Sequence, residues 1–574
     1  MSAIWQLIDP NPTLARALSK ELKVSPLIAQ ILINRGVKDK VSAESFLKPR
    51  LAHLRDPMEI PNIKKAAERL LGTKAPRLRS GQAQGQKVLI FGDYDVDGVT
   101  GTSILLHTLK FLGIEADYYI PHRYGEGYSL SIEAVRKIAE SGVKLIVTVD
   151  CGVSNVAEID EANKLGIEVI VTDHHNLPKE LPKAYAIVNP KMIPDHPSEH
   201  LSGAGVAFKF AWALLKIAGE KDSVFLTSLL DLASLGTISD IVPLNRENRI
   251  LAAAGLVQIN QRKRLGIREL AENSSLHGRI SIKNINFGLA PRINAAGRLE
   301  HASKSVELMT TDDPERAREL AKELSQINTR RQGIGRDIKE EVFSQLNDDY
   351  VRDNRLVVLS GQDWHPGVIG IVASQVVDRF SRPAVLIGTS NGRGRGSARS
   401  IEGINIFNIL STCQDLFTDF GGHAGAAGFE IESGKIPELI KRLQKIGEER
   451  ISPDDLRAKI EIDSIIDPSR ITMTMVKELE ILDPHGEGNP LPVFSSGGLT
   501  LSSAKTVGAD GRHLKAKFTD GRVTIDVIGF GFGNYLGRLS YDRKYDIAYH
   551  LEANEWDGFE TVQMSLVDVR ETCG

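Results

Sequence analysis

Acidic and imidazole side chains follow three short apolar runs of this sequence directly. The runs are KVLIFG, KLIVTV and IEVIVT, at positions 87–92, 144–149 and 167–172. The residues after them are Asp93, Asp95, Asp97, Asp150, Asp173, His174 and His175. Carboxylates held close together repel one another unless a cation neutralises them. Oxygen ligands with an occasional imidazole suit Mg²⁺ or Mn²⁺, and a carboxylate shared by two such ions forms the clamp used in phosphoryl transfer.

Some of these residues also have a simpler interpretation. A single aspartate before a helix is usually an N-cap, and this alternative stays open for Asp150 taken alone. The doublet formed by His174 and His175 could be an ordinary turn, although its place directly after a strand and an aspartate favours ligation. Because three strand ends carry such groups, we interpret the set as a metal site.

The elements that must position these side chains alternate between strands and helices. The predicted strands cover 87–92, 116–120, 144–149, 167–172 and 184–189, and the predicted helices cover about 99–112, 132–141 and 154–165. Continuous apolar strands that alternate with helices are typical of a parallel sheet covered by helices on both faces. Such a sheet binds ligands at the carboxyl ends of its strands, so the acidic and imidazole groups meet at one edge.

The rest of the chain divides into further regions. Residues 73–86 predict a solvated loop, residues 203–275 are mostly helical, and residues 312–348 predict one long charged helix that bridges two domains. Residues 355–450 predict a βαβ core, and residues 458–574 predict a small barrel similar to an OB fold. We therefore expect an α/β protein with a C-terminal all-β domain. The expected domains are an N-terminal helical cap at 1–60, the parallel-sheet domain at 61–275, a connector with the long helix at 276–350, a smaller α/β domain at 351–450 and the OB-like domain at 451–574.

Composition and charge exclude several classes of protein. The 574 residues contain 71 Lys and Arg against 74 Asp and Glu, so the net charge of −3 excludes a basic tail and an acidic disordered chain, but not a local basic groove. The three cysteines, Cys151, Cys413 and Cys573, predict neither a disulfide framework nor a thiolate zinc site. No apolar run is long enough for a membrane span and the N-terminus lacks the features of a signal peptide, so we expect a cytoplasmic protein that does not associate with membranes.

Seven segments resemble the motifs of one enzyme superfamily, in the same order along the chain. GDYDVDG, VDCG, TDHH and SLGTISDIVPL (234–244) resemble the four motifs of the DHH phosphoesterase superfamily. PRINAAGRL (291–299), GSARS (396–400) and GGHAGAAGF (421–429) resemble its companion DHHA1 domain. With a bridging helix and a C-terminal β domain, the combination is similar to the bacterial single-strand-specific 5′→3′ exonucleases of this superfamily. The resemblance implies two-metal hydrolysis of single-stranded DNA to 5′-mononucleotides, in DNA repair and recombination.

The resemblance also implies roles for residues at the metal site. It implies two Mn²⁺ or Mg²⁺ ions, held by Asp95, Asp97, Asp150, His174 and Asp240. Asp150 matches the carboxylate shared by both ions, and His175 is expected near the scissile phosphate. Phe91 stands where smaller members of the superfamily carry a metal-binding histidine, so Asp93 is expected either to ligate or to support the ligands. Asp240 has no signal of its own, because an aspartate there is otherwise a turn or helix-end residue.

A second set of matched residues implies recognition of a 5′-phosphate. The planar guanidinium of arginine binds phosphate through two parallel hydrogen bonds, although a single arginine is more often a solvated surface charge. The implied 5′-phosphate and DNA-binding residues are Arg123, Arg298, Ser397, Arg399, Asn294 and His423. Gly392, Gly394 and Gly396 favour close approach of the backbone to a ligand. The segment GGHAGAAGF has two explanations: tight packing or a turn, or contact of its backbone and of His423 with a nucleotide phosphate.

The C-terminal domain interleaves aromatic and basic residues, as barrels that track single strands do. The aromatic residues could instead belong to the barrel core. The residues are Phe494, His513, Lys515, Lys517, Phe518, Tyr541 and Tyr545.

Two other functions stay open. One is a 5′→3′ ribonuclease or short-oligonucleotide hydrolase on the same scaffold, and the other is a non-catalytic strand-binding factor. The intact set of carboxylates and histidine argues against the second, since a binding module has no need to hold so many carboxylates together. For the exonuclease we expect a monomer whose partners are single-stranded DNA, a single-strand-binding protein and a helicase.

Overall fold

A computed structural model describes residues 3–74, 86–123, 127, 129–508, 510–556 and 559–572. Most of the loop predicted at 73–86, part of the motif after Arg123, and Cys573 lie outside these residues. The chain forms two compact units, which are Leu7–Ser325 with Ile462–Gly574, and Met1–Gln6 with Gln326–Glu461. None of the described helices is both long and apolar enough to span a membrane.

The N-terminal region is helical, as predicted, apart from one short strand. Its elements are β1 (Ile4–Leu7), α1 (Pro12–Leu22), α2 (Pro26–Asn34), α3 (Lys40–Leu47) and α4 (Ile63–Leu71). Helix α2 begins where Ser25 accepts a hydrogen bond from the N–H of Ile28 and where Pro26 occupies the first position. Ile28 and Leu32 of α2 are fully buried, so this helix is anchored by its apolar residues.

A five-stranded parallel sheet forms the centre of the first unit and confirms the predicted α/β fold. Its strands are β2 (Val88–Gly92), β3 (Ala116–Tyr119), β4 (Leu145–Val149), β5 (Glu168–Thr172) and β6 (Ala186–Val188). The order is β3-β2-β4-β5-β6, and all neighbouring pairs are parallel. The strand order reverses between β2 and β4, and a parallel sheet binds its ligands at the carboxyl ends on either side of such a point.

Helices cover this sheet and extend beyond it. The helices between the strands are α5 (Val96–Leu112), α6 (Ile132–Glu140) and α7 (Val156–Lys164). The helices after the sheet are α8 (Gly203–Ala218), α9 (Ser223–Ser228), α10 (Leu230–Ser239), α11 (Arg246–Gln261), α12 (Leu265–Asn273), α13 (Ile282–Asn284), α14 (Ala290–Leu299), α15 (Ser303–Thr310) and α16 (Pro314–Gln345). Helix α16 is the predicted long helix, and the boundary between the two units falls within it, after Ser325.

The second unit is built around a mixed sheet. Its elements are α17 (Asp348–Asp353), β7 (Val357–Gln362), α18 (Pro366–Phe380), β8 (Ala384–Ser390), β9 (Arg393–Arg399), α19 (Ile406–Ser411), β10 (Phe417–His423), β11 (Ala426–Glu432) and α20 (Ile436–Arg450). The sheet order is β10-β11-β9-β8-β7. The predicted βαβ core is confirmed, since β7 and β8 are parallel and α18 lies between them in the chain.

The two glycine-rich segments of the second unit lie mostly in strands, and the turn alternative for GGHAGAAGF applies to residues 424–425, which connect two strands of a hairpin. Strands β10 and β11 form an antiparallel hairpin from this segment, and β9 carries GSARS beside it. A Cβ atom on Gly396 would lie 2.1 Å from the ring of Phe429. The glycine at this position is therefore required by packing inside the sheet.

The C-terminal elements form the predicted barrel. They are β12 (Lys459–Ile462), β13 (Ser464–Ile465), α21 (Met473–Leu479), β14 (Phe494–Val507), β15 (His513–Thr519), β16 (Thr524–Gly529), β17 (Lys544–Trp556) and β18 (Phe559–Glu571). Pairing of β14 with β17 closes five strands into a barrel, and β12 pairs with β1. Phe494, Phe518 and Tyr545 lie in the barrel core, as the second alternative stated, whereas Tyr541 of the same set is exposed. The same core contains Ile28 and Phe46, so the N-terminal helices pack on the barrel.

Candidate metal centre

The loop after β2 supplies carboxylates to the carboxyl edge of the sheet. Oδ1 of Asp95 accepts hydrogen bonds from the N–H groups of Asp97 and Gly98, at 2.9 and 3.1 Å, and thereby caps helix α5. This cap explains why α5 begins at Val96, three residues before the predicted start. Asp93 and Asp97 are both buried.

The amino end of helix α8 holds Asp97. The N–H of Ala204 donates to Oδ1 of Asp97 at 2.9 Å, and the N–H of Gly203 donates to Oδ2. A Cβ atom on Gly203 would lie 2.6 Å from the carboxylate of Asp150, so only glycine fits there. Sequence reasoning missed this contribution because backbone N–H groups leave no side-chain signal. The only hint was Ser202, a residue type that commonly caps helices.

Asp150 lies in the left-handed region of backbone conformation, with φ of 62°. Residues other than glycine, asparagine and aspartate rarely adopt this conformation, and it tends to be retained at functional sites. The N-cap of helix α7 is Asn155 rather than Asp150, so the capping alternative for Asp150 is wrong. The carboxylate therefore does not cap α7, and it lies beside Gly203 at the amino end of α8.

Asp173 orients the two histidines that follow β5. Its Oδ1 atom accepts hydrogen bonds from the N–H groups of His174 and His175, and lies 2.8 Å from Nδ1 of His175. Its Oδ2 atom accepts from the N–H of Val153. Partial burial opposes the effect, but the hydrogen bond and charge of Asp173 raise the pKa of His175 above its ordinary value.

His174 lies at the centre of the acidic cluster. Its Nε2 atom is 3.1 Å from Oδ1 of Asp150, 3.6 Å from Oδ2 of Asp240 and 4.0 Å from Oδ2 of Asp97. Asp240 reaches this position from the carboxyl end of helix α10, where it is the C-cap residue. Three overlapping groups have ligand atoms within 4.8 Å of one another: Asp150 with His174 and His175, Asp97 with His174 and Asp240, and Asp93 with Asp95 and Asp150.

The electrostatics of this cluster disfavour several unneutralised carboxylates, which either protons or a cation can relieve. Burial, reinforced by the charge of Asp95, raises the pKa of Asp97 to about 7, and burial with the charges of Asp97 and Asp95 raises that of Asp240 to about 10. Burial also raises the pKa values of Asp93 and Asp150 well above the ordinary value. Burial together with the charge of His175 lowers the pKa of His174 to about 3, so the imidazole is neutral and able to ligate.

Four buried atoms of the cluster have no hydrogen-bond partner among the described residues. They are Asp93 Oδ1, Asp150 Oδ1, His174 Nε2 and Asp240 Oδ2. Buried polar atoms are normally satisfied, and unsatisfied ones indicate an unseen ion or water. Carboxylate oxygens with one neutral imidazole fit Mn²⁺ or Mg²⁺. Phe91 is fully buried in the apolar core and stacks on Tyr119, so this position contributes no ligand.

The predicted phosphate-binding residues of the first unit contact the loop that carries the carboxylates. The guanidinium of Arg123 lies over the ring of Tyr94, 4.9 Å from its centroid. Asn294 on helix α14 accepts a 3.1 Å hydrogen bond from the N–H of Val96, and Arg298 lies one turn further along the same helix. These groups therefore lie against the residues between Asp93 and Asp97.

The predicted phosphate-binding residues of the second unit share one sheet. Arg399 donates to Oγ of Ser397 at 3.2 Å, and a Cβ atom on Gly370 of helix α18 would clash with both side chains. The register places His423, Ala426 and Arg399 in one row across β10, β11 and β9. His423 itself is exposed.

Three family models match the chain. They are the DHH family, N-terminal domain, over residues 87–237, the DHHA1 domain over residues 353–449 and the RecJ OB domain over residues 462–568. The single-stranded-DNA-specific exonuclease RecJ of Bacillus subtilis is 38% identical over 568 residues, which cover 98% of this chain and 70% of that protein. RecJ of Escherichia coli is 33% identical over 571 residues, which cover 95% of this chain and 96% of that protein.

Solved structures give the same result. RecJ from Thermus thermophilus in complex with Mn²⁺ matches with a TM-score of 0.84 and 31% identity, over 100% of this chain and 80% of that chain. The complex of that protein with Mg²⁺ matches with a TM-score of 0.78 and 30% identity, over 100% of this chain and 79% of that chain.

Proposed function

The chain belongs to the RecJ family of single-stranded-DNA-specific exonucleases, and we propose that it hydrolyses single-stranded DNA from the 5′ end and releases 5′-mononucleotides. The observation that carries this function is the buried cluster of carboxylates and imidazole, four of whose polar atoms have no hydrogen-bond partner among the described residues. A pure strand-binding protein has no use for such a cluster, since crowding and burying acidic groups costs stability.

We assign metal binding to Asp95, Asp97, Asp150, His174 and Asp240, which would hold two Mn²⁺ or Mg²⁺ ions, and Asp150 belongs to two of the three ligand groups. Ions bound there would supply Lewis acidity for hydrolysis of the phosphodiester. Asp93 completes the negative surroundings, because it lies in one ligand group with Asp95 and Asp150. The backbone N–H groups of Gly203 and Ala204 hold one of these ligands, Asp97, by hydrogen bonds.

His175 stabilises negative charge on the scissile phosphate. Asp173 holds the Nδ1 edge of its ring, so the ring has one orientation. The raised pKa of His175 keeps the imidazole cationic to higher pH than an ordinary histidine. A fixed cation beside the reacting phosphate stabilises the charge that develops there.

We assign 5′-phosphate binding to Arg123 and Arg298 in the first unit and, within the second unit by itself, phosphate or DNA binding to Ser397, Arg399 and His423. Arg123 is held over the ring of Tyr94, and Arg399 is paired with Ser397, so both guanidinium groups are ordered before a ligand arrives. Ordered arginines lose less entropy when they bind phosphate.

For the barrel we propose strand binding through surface lysines, because three of the predicted aromatic rings lie in its core. Lys505, Lys515 and Lys517 line an open cavity of about 550 Å³ on its surface. Lys505 and Lys515 are directly opposite one another in the antiparallel pair β14–β15. Like charges in such a pair destabilise a sheet, and a polyanion removes the repulsion. In an exonuclease of this kind, the polyanion is the single-stranded nucleic acid substrate.

The proposed activity implies a role for each region of the chain and a set of partners. We propose that residues 61–275 carry the metals, 351–450 contribute to phosphate binding and 451–574 bind the strand, with 1–60 as the cap and 276–350 as the connector. An enzyme restricted to single strands needs a helicase to open duplex DNA and works on strands covered by a single-strand-binding protein. We infer a monomer that acts in the cytoplasm, in repair and recombination.

Product analysis with end-labelled oligonucleotides tests this function. The protein is incubated with single-stranded DNA, duplex DNA and RNA in Mn²⁺, Mg²⁺ or EDTA, with Asp150→Ala as the control. The expected result is release of 5′-mononucleotides from single-stranded DNA alone, abolished by EDTA and by the substitution. Tight binding without cleavage under both metals would establish a strand-binding factor instead, and equal release from RNA would establish a nuclease without sugar preference.

A further inference from the structure

Helix α14 touches the carboxylate loop at two points. Oδ1 of Asn294 accepts the N–H of Val96 at 3.1 Å. One turn later, a Cβ atom on Gly297 would lie 2.6 Å from the backbone oxygen of Tyr94, so glycine lets the helix lie directly against the loop. These contacts join residues about two hundred positions apart and fix the helix to the loop.

The contact of Asn294 completes the amino end of helix α5. The first N–H groups of a helix have no partner within it. In α5, Asp95 satisfies those of Asp97 and Gly98, whereas that of Val96 is satisfied only by Asn294 among the described contacts. The side-chain oxygen of Asn294 is therefore engaged with the protein backbone.

Both arginines assigned to the 5′-phosphate in this unit depend on Tyr94 for their position. Arg298 directly follows Gly297, which packs on Tyr94, and Arg123 lies over the ring of Tyr94. Tyr94 itself stands between Asp93 and Asp95. The distance from the phosphate-binding arginines to the metal ligands is therefore set by the packing of α14 and Arg123 on one tyrosine.

We propose that Asn294 and Gly297 are positioning residues that fix the spacing between the 5′-phosphate arginines and the metal centre, and so determine that one nucleotide is removed per cut. The proposal rests on the proposed function. It gives Asn294 a role through its acceptor oxygen, in place of the direct contact with DNA that the motif implied.

The substitutions Asn294→Asp and Asn294→Leu separate the two roles. Aspartate keeps the acceptor for the N–H of Val96 and loses the amide donor, whereas leucine has a similar volume and loses the acceptor. A positioning role predicts that N294D still releases only mononucleotides, because Asp and Asn cap helices equally well, whereas its rate also reflects the negative charge added beside Asp95 and Asp97. N294L is expected to cleave on the order of 10–100-fold more slowly and to release dinucleotides with the mononucleotides.

Binding in EDTA provides a readout that does not depend on turnover. Fluorescence anisotropy compares oligonucleotides with a 5′-phosphate and with a 5′-hydroxyl group. N294L is expected to keep a preference for the 5′-phosphate, since Arg123 lies over the ring of Tyr94 and does not depend on the contact of Asn294. Gly297→Ala, which forces the helix from Tyr94, is expected to change product length in the same way, with Gly288→Ala as the control, because only the flexible side chain of Leu276 lies near Gly288.

Three results would overturn this inference. N294D that releases products of mixed length would show that an acceptor for the N–H of Val96 is not what sets the spacing. Variants N294L and G297A that release only mononucleotides at the wild-type rate would show that the helix contact does not set the spacing. A wild-type protein that releases no mononucleotides would overturn the proposed function and this inference with it, whereas the first two results leave the function intact.

Discussion

The backbone N–H of Ala204 donates a 2.9 Å hydrogen bond to Oδ1 of Asp97, across 107 positions of sequence. The amino end of helix α8 thus points at a carboxylate of helix α5, and the helix dipole favours the charged form of that carboxylate. Burial acts in the opposite direction and raises the pKa of Asp97 to about 7. The balance between these effects makes Asp97 dependent on a nearby cation.

Replacing Gly203 should disable the metal centre without unfolding the protein. In Gly203→Ala, the new Cβ atom meets the carboxylate of Asp150 at 2.6 Å and displaces it. We expect kcat to fall on the order of a hundredfold, since small displacements of reacting groups have effects of this size. The control is Gly205→Ala, whose Cβ atom meets only the flexible side chain of Leu201 at 3.1 Å and a methyl group of Leu251. Equal activity of the two variants would contradict this role of Gly203.

The sheet and its acidic edge could be predicted from the sequence for a simple reason. Strands such as Val88–Gly92 are buried throughout and therefore consist of continuous apolar residues. The groups after them meet at one edge because parallel strands end together. Asp240 could not be found this way, because it reaches the cluster from a helix end and only the family resemblance indicated it.

Other parts could not be predicted because their signals are weak or ambiguous. Strands β9 to β11 contain many glycines, which have low strand propensity, and they form strands because larger neighbours such as Phe429 fill the space above them. In the barrel strands, the alternation of residue types shows that each strand has two faces, but it does not show which face points into the barrel. Phe518 and Lys517 are neighbours in sequence, yet one is buried and the other exposed.

Asp173→Asn should impair catalysis through His175. The substitution removes the charge that raises the pKa of His175, so the cationic imidazole is lost at a lower pH than in the wild type. We expect kcat to fall by roughly 10²–10⁴-fold, with the alkaline limb of the pH–rate profile moved to lower pH. Steady-state kinetics between pH 6 and 9 measure both effects. The exposed Asp117→Asn on β3 is the control, and an unchanged alkaline limb in D173N would exclude this coupling.

Removing one of the paired barrel lysines should weaken DNA binding and stabilise the barrel at the same time. In Lys515→Ala the repulsion with Lys505 across β14–β15 is relieved, so the Tm is expected to rise or stay constant. The slope of log affinity against log salt should decrease by about 0.7 for each lost phosphate contact. Anisotropy titrations at several salt concentrations test this. Lys445→Ala on α20, whose side chain is 76% exposed, is the matched control and should leave the slope unchanged.

His107 should make the first unit sensitive to acid. Burial and the charge of Arg264, whose guanidinium lies 2.7 Å from Nε2, lower the pKa of His107 to about 4. The unfolded chain takes up a proton near pH 6.5 and the folded protein does not, so stability falls as the pH drops from 6.5 towards 4. The loss is about 2 kcal/mol at pH 5. His107→Gln should therefore lose less stability than the wild type between pH 7.5 and 5, as measured by thermal unfolding, and equal losses would contradict this assignment.

Metal binding should counteract the loss of stability at high pH that the acidic cluster causes. The folded-state pKa values of Asp97 and Asp240, about 7 and about 10, lie above those of the unfolded chain. The metal-free folded protein therefore binds more protons than the unfolded chain, and its stability falls as the pH rises from about 4 through these values. For Asp97 alone the loss between pH 5.5 and 8 is about 2 kcal/mol.

Divalent ions take the place of these protons, so Mn²⁺ should raise the Tm more at pH 8 than at pH 5.5. Thermal unfolding in EDTA and in Mn²⁺ at both pH values measures this difference. Asp240→Asn removes one titrating carboxylate and should flatten the decline in EDTA while it reduces the stabilisation by Mn²⁺. The loss of a titrating carboxylate makes the metal-free protein less sensitive to rising pH, whereas the loss of a ligand weakens stabilisation by Mn²⁺. General damage to the fold would not produce these two changes together. Equal shifts by Mn²⁺ at both pH values would show that the cluster does not exchange protons for metal.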